Sequence, residues 1–137
     1  NLRERFYDSE VIKTSLTLAN AVKLNADELP VVARLCALGA GSEPELLRAL
    51  VDKFALRLAV LTRAERGSLM RTPSTEVETL APLTTVVDSV GAGDAFTAAL
   101  LVGLLNGQPL EEVATKANAV AAYVCSQVGA TPALPRG

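Results

Sequence analysis

The chain has 137 residues, half of them hydrophobic and a fifth charged, with a net charge of −2. That balance describes one globular domain with a real core and no basic patch for nucleic acid, and its longest apolar run, Ala98 to Leu105, falls far short of the roughly 18 residues a membrane-spanning helix needs. Two distant cysteines, Cys36 and Cys125, and no histidine exclude a disulfide framework, a Cys–His nucleophile pair and a mixed Cys/His metal site, and read as buried thiols of a reducing cytoplasm.

The opening Asn1-Leu2-Arg3-Glu4-Arg5 has no initiator Met and no signal-peptide apolar core. It is the pattern expected of a segment from within a larger domain that is not exported. Asp8 or Ser9 would cap a first helix over Glu10 to Ala21, whose Val11, Ile12, Leu16 and Leu18 supply the apolar positions. A short strand, Ala21 to Leu24, follows. Asn25 opens a second helix from about Ala26 to Leu38, with Asp27 and Glu28 in the acid-tolerant first turn and Pro30 near its start.

A turn at Gly39 to Ser42 leads to a third amphipathic helix, Glu43 to Phe54. Arg57 to Thr62 is the clearest buried strand, and Gly67–Thr72 and Glu76–Leu80 read as two further short strands, paired with each other. Thr84 to Val87 leads into Asp88-Ser89-Val90-Gly91-Ala92-Gly93-Asp94. An Ala/Leu-rich helix then runs to about Leu105 and is broken by Asn106-Gly107-Gln108-Pro109. The last helix spans Leu110 to Gln127, with Gly129 as its C-cap. Helices alternating with buried strands imply a layered α/β architecture and a single unit without repeats.

The sharpest chemistry lies at Gly91-Ala92-Gly93-Asp94. Two glycines let the backbone turn tightly, and let its N–H groups approach a ligand with no Cβ in the way. At a helix N-terminus those groups lack helical partners and the macrodipole is positive, which suits a phosphate. A carboxylate at the same place repels phosphate, so Asp94 makes sense if it takes a proton from an attacking hydroxyl beside the transferring phosphoryl group. Other readings compete. Asp94 could be an N-cap, the glycines could serve helix packing, or Gly-x-Gly could be a dinucleotide fingerprint. The last is weakened because one helix leads into another, with no crossover strand carrying an acid, and no Walker loop occurs anywhere.

The longer string Asp88-Ser89-Val90-Gly91-Ala92-Gly93-Asp94-Ala95-Phe96 resembles the C-terminal signature of the PfkB/ribokinase family, Asp-Thr-x-Gly-Ala-Gly-Asp-x-Phe. Three more matches fall in family order: Asn25-Ala26-Asp27-Glu28 for Asn-x-x-Glu, Thr62 to Gly67 for Thr-x-Gly-x-x-Gly, and Gly129-Ala130 with Pro132 and Pro135 for the domain's ending. The resemblance implies a ribokinase-like three-layer α/β/α fold. Residues 1–137 would form its C-terminal, nucleotide-binding part, and the N-terminal sugar-binding half and lid would lie outside the chain.

It further implies an ATP-dependent sugar kinase in which Asp94 activates the sugar hydroxyl and Gly91, Ala92 and Gly93 form the anion hole. Asn25 and Glu28 would organise Mg²⁺ and its waters, Glu28 more directly, although the same pair also reads as a capping arrangement. Thr62, Arg63 and Gly67 would lie beside the nucleotide. Asn118 matches a position that often faces the adenine, and equally reads as a solvated helix residue. Asp88, the Val90 carbonyl and Gly129 are candidates for a monovalent cation, K⁺. Asn1-Leu2-Arg3 resembles a sugar-contacting strand of the fructokinase branch, with Arg3 toward substrate. The implied partners are ATP and a small sugar, with a homodimer through the missing lid, and no nucleic acid or membrane.

Two departures bear on this. Ala64 stands where the family has Gly, which imposes strain if the position needs positive φ. The chain is also roughly half a family member's length, so the isolated piece is expected to lack kinase activity. The alternatives kept open are a catalytically inactive nucleotide-binding module, and a nucleoside kinase of the same fold.

Overall fold

The computed structural model describes residues 2 and 7–134. The expectations on Arg3 and Pro135 lie outside the described residues. The chain divides into two compact units, Asn1–Arg63 with Leu69–Val77, and Ala64–Ser68 with Glu78–Gly137.

The first unit is an α/β layer. Helix α1 (Ser9–Leu18) starts where Asp8 accepts the Val11 N–H at 2.8 Å, the cap the sequence indicates. It ends earlier than its periodicity suggests, because Ala19 is extended and the Asn20 carbonyl accepts the Arg57 N–H. Strand β1 (Ala21–Asn25) pairs in parallel with β2 (Leu58–Thr62) in the register Ala21↔Leu58 through Asn25↔Thr62. Two further strands, β3 (Ser68–Arg71) and β4 (Glu76–Thr79), complete a four-stranded sheet in the order β1-β2-β3-β4. The last two form the expected hairpin, with the Thr72 N–H bonded to the Thr75 carbonyl. Residues 58–61 of β2 are all buried, as in a strand covered on both faces.

Helix α2 (Glu28–Leu35) is shorter than the sequence suggests. Ala37 adopts φ 50° and Gly39 φ 87°, and these left-handed residues stop a segment whose Ala and Leu content would otherwise carry the helix on. Helix α3 (Glu43–Phe54) has the predicted bounds. The Ser42 N–H and hydroxyl both donate to Glu45, at 2.8 and 2.9 Å, while left-handed Ala55 closes the other end. Leu29, Val32, Leu47, Leu50, Val51 and Leu61 form the centre of this unit's core.

The second unit is dominated by α4 (Ala92–Leu105) packed on α5 (Leu110–Cys125). Phe96 and Leu100 of α4 and Val113, Ala114 and Ala117 of α5 are buried. Gly103 admits the close approach, since a Cβ there would stand 2.8 Å from a Val113 methyl. The C-cap of α5 is Ser126 rather than Gly129, although Gly129 does take the left-handed conformation, φ 87°. None of the described helices is long and apolar enough to cross a membrane.

Candidate active site

In the first unit, the parallel register places Asn25 and Thr62 side by side at the carboxyl ends of β1 and β2, the edge at which open α/β sheets present ligand sites. The Ala26 N–H donates to the Thr62 carbonyl at 3.0 Å, and the Thr62 hydroxyl lies 3.4 Å from the Leu24 carbonyl. Asn25 Oδ1 accepts the Asp27 and Glu28 N–H groups at 3.0 and 2.9 Å, while Glu28 Oε2 accepts the Asn25 N–H at 2.9 Å. That reciprocity has the pattern of a capping box, set in the turn between β1 and α2.

Glu28 also accepts the Leu2 N–H on Oε1, at 2.7 Å, and is 8% exposed. Burial pushes its carboxyl up, but the N–H groups of Asn25 and Leu2, aided by Lys23, outweigh burial and leave it below the ordinary carboxylate value. Glu28 is therefore an anion at neutral pH with both oxygens already engaged. Among the described residues no three acidic or cysteine side chains gather as a metal cage. This donor set fits a Mg²⁺ ion held mainly by water and phosphate oxygens, with Glu28 behind its waters.

Arg63 departs from expectation. Its side chain is 7% exposed and its Nη1 lies 3.5 Å from Glu43 at the start of α3. The guanidinium is turned into the first unit, toward Glu43.

In the second unit, Asp94 is the third residue of α4 and exposed. It is not the N-cap. That position belongs to Gly91, in the left-handed conformation at φ 84°, and capping therefore does not account for the carboxylate. Gly91 is required twice over: its φ is costly for any L side chain, and a Cβ there would stand 2.4 Å from the Ala130 carbonyl oxygen. The Gly93 and Asp94 N–H groups belong to the first helical turn, where no intrahelical acceptor exists, and both residues are exposed.

The three residues expected at a monovalent cation are brought together by Asp88 itself. Its Oδ1 accepts the Val90 N–H at 2.9 Å and its Oδ2 the Gly129 N–H at 3.1 Å. A carboxylate has further lone pairs, so Asp88 could still serve a cation from this position. The Cys125 carbonyl accepts both Val87 and Asp88 N–H groups, at 2.8 and 3.1 Å, and fastens the segment to the end of α5. No sequence signal marks that contact, because it is made by backbone.

Gly67, buried at φ 82°, could not bear a side chain: its Cβ would lie 2.0 Å from the Thr79 carbonyl oxygen. Ala64, which opens a short 3₁₀ turn at Ala64–Arg66, adopts φ 52°, the strained conformation foreseen for an alanine at that position. Asn118 is 5% exposed, and its Nδ2 donates to Ser68 Oγ at 2.8 Å and to the Ala114 carbonyl at 2.9 Å. It is an interior tie rather than a solvated residue. Both amide protons are used internally, and no role at a nucleotide follows from this geometry.

The pfkB family carbohydrate kinase model matches residues 1–136, and the chain belongs to that family. It is 32% identical to the aminoimidazole riboside kinase of Salmonella typhimurium over 145 residues, covering 98% of this chain and 44% of that enzyme. The structure of the Salmonella enterica aminoimidazole riboside kinase, complexed with aminoimidazole riboside and an ATP analog, matches with a TM-score of 0.80 and 32% identity, over 98% of this chain and 47% of that one. A fructokinase double mutant from Vibrio cholerae O395, in a fructose, ADP and potassium ion bound form, matches with a TM-score of 0.78 and 28% identity, over 94% of this chain and 43% of that one. The fold is ribokinase-like, and the chain spans less than half the length of these relatives.

Proposed function

We propose that residues 1–137 are the C-terminal, nucleotide-binding part of an ATP-dependent sugar kinase, fructokinase-like in its acceptor, with Asp94 as the general base. The observation that carries this reading is the start of α4, where left-handed Gly91 occupies the N-cap and Asp94 stands exposed two residues beyond Ala92. The carboxylate makes no cap there, and in a purely anion-binding turn it would only repel the ligand.

In this mechanism Asp94 takes the proton of the sugar hydroxyl. The hydroxyl oxygen bonds to the γ-phosphorus as the bond to the β–γ bridging oxygen breaks, and ADP leaves with that electron pair. Of the turn Gly91-Ala92-Gly93, the Ala92 N–H donates to the Ser89 carbonyl, so the Gly93 and Asp94 N–H groups at the start of α4 would receive charge on the phosphoryl oxygens as it moves, with Gly91 shaping the turn. No lysine lies in the phosphate motifs and Arg63 is committed to Glu43. Backbone dipoles would therefore act with Mg²⁺, whose charge would offset that of the phosphates, and Glu28 would stand behind its waters. Thr62 and Gly67 border the nucleotide, and Asp88, Val90 and Gly129 shape a K⁺ site. The sugar-binding half and lid, with any dimer contact they make, belong to residues beyond this chain.

The test is a calorimetric titration of MgATP into the chain and its Asp94→Asn variant, with turnover assayed on fructose and aminoimidazole riboside. Binding kept or tightened in the variant, with little turnover by the isolated chain, is the expected result. In a complete kinase the same substitution should cut turnover about 10²–10⁴-fold. Turnover by the isolated chain near that of a full-length kinase would overturn the assignment of the sugar half to other residues, and no binding by either protein would remove the nucleotide role.

A further inference from the structure

Beyond Ser126 the chain doubles back past the start of α4. Gly129 turns it in the left-handed conformation, and residues 129–134 run on without regular structure. This strap is held near its beginning by Asp88, which accepts the Gly129 N–H while also accepting that of Val90. Its next residue, Ala130, lies so close to Gly91 that no Cβ could fit between them. Toward its far end, Tyr123 of α5 donates its phenol to the Ala133 carbonyl at 2.9 Å.

We infer that Tyr123 is a positioning residue for the Gly91 turn. Fastened by Asp88 on one side of Ala130 and by Tyr123 on the other, the strap keeps Ala130 against Gly91. It thereby holds Gly91 in the left-handed conformation that opens α4, ahead of the exposed first-turn residues Gly93 and Asp94. The phenol touches neither the turn nor any ligand of it; it acts through four residues of strap. The bond is exposed, so it contributes little to global stability, and its effect falls on the local order of the turn. The inference rests on the reading of this turn as a phosphoryl site, and it makes the strap and a bound phosphoryl group reciprocally linked.

The sequence supplies its own probe, since it contains no Trp and only two tyrosines, Tyr7 and Tyr123. In a Tyr7→Phe protein all phenol emission comes from Tyr123. MgATP titrated into that protein should change the emission along the same curve as the heat of binding. The Tyr123→Phe variant, which loses only the hydroxyl, should bind MgATP about 3–10-fold more weakly while its melting temperature stays within about 2 °C. Its Val90 and Gly129 amides should exchange with solvent several-fold faster, with or without nucleotide. A purely structural phenol would lower the melting temperature and leave affinity untouched. Unchanged exchange at Val90 and Gly129, or unchanged affinity in a variant that binds MgATP, overturns the positioning role and spares the kinase reading. Absence of MgATP binding by the parent and the variant alike sinks the phosphoryl reading of the turn and this inference with it.

Discussion

Ala64 shows how much one methyl group decides. At φ 52° it occupies a conformation that glycine adopts freely and L residues resist. Ala64→Gly should therefore raise stability by about 1 kcal/mol, the left-handed penalty less the added freedom of the unfolded chain. Thermal or urea unfolding measures it, and a destabilised variant would show that the alanine is not strained. The sequence named the residue and the condition for strain; only the backbone could supply the angle. The same holds across the site. That two glycines and an acid open the apolar helix after Val90 was legible in the sequence. Which of them caps the helix was not, because a shift of three residues leaves the pattern intact. The surroundings of Arg63 and Asn118 were not legible for a different reason: spacing places a residue at a strand end or on a helix, but side-chain direction follows from partners distant in sequence, Glu43 for one and Ser68 for the other.

At the scale of elements, α3 was legible to the residue because its start carries its own chemistry in Ser42, Pro44 and Glu45. Helix α2 was overdrawn because propensity continues past Leu35 where the backbone does not. The box of Asn25 and Glu28 joins β1 to α2 and gives this junction a pH dependence. Glu28 titrates below its ordinary value of 4.5 in the folded protein. Its contribution is thus fully present above the unfolded-state value and is lost as pH falls through the lower folded value. Stability should drop below about pH 4.5, and Glu28→Gln should flatten that acid limb while costing about 1–3 kcal/mol at neutral pH, because a neutral amide serves two buried N–H donors poorly. Urea midpoints from pH 3 to 7 for both proteins decide the matter. Parallel curves would mean that Glu28 does not govern this limb.

Across the whole molecule, α4 is apolar on every side rather than along one stripe. Its Leu101, Val102 and Leu105 are 53, 59 and 86% exposed, and Leu83, Val86, Val87 and Val90 ahead of it are exposed as well. Helices apolar all round belong to the interior of a larger layered structure, which agrees with a chain spanning less than half of its relatives. The isolated chain should accordingly bind an apolar dye and self-associate as its concentration rises. Leu101→Lys with Leu105→Lys should suppress both without lowering the melting temperature, since neither side chain is buried. A monodisperse, dye-free parent protein in sedimentation would count against an unpartnered apolar face on α4. No periodicity argument could have found this exposure. The longest apolar run of the sequence, Ala98 to Leu105, is partly surface here, because hydrophobicity alone does not say what covers a residue.

The clasp between Asp88 and Gly129 spans 41 residues of sequence, and most of them form the two helices α4 and α5. The path into this pair and the path out of it meet within one hydrogen bond, so the pair is a nearly closed ring with a seam. At the opposite end Gly107 is exposed, with open space around it. Geometry alone would let the seam be sewn shut and the ring opened at Gly107. What the Gly91 turn requires of the polypeptide is thus the adjacency of the two helix ends, not the order in which the chain visits them.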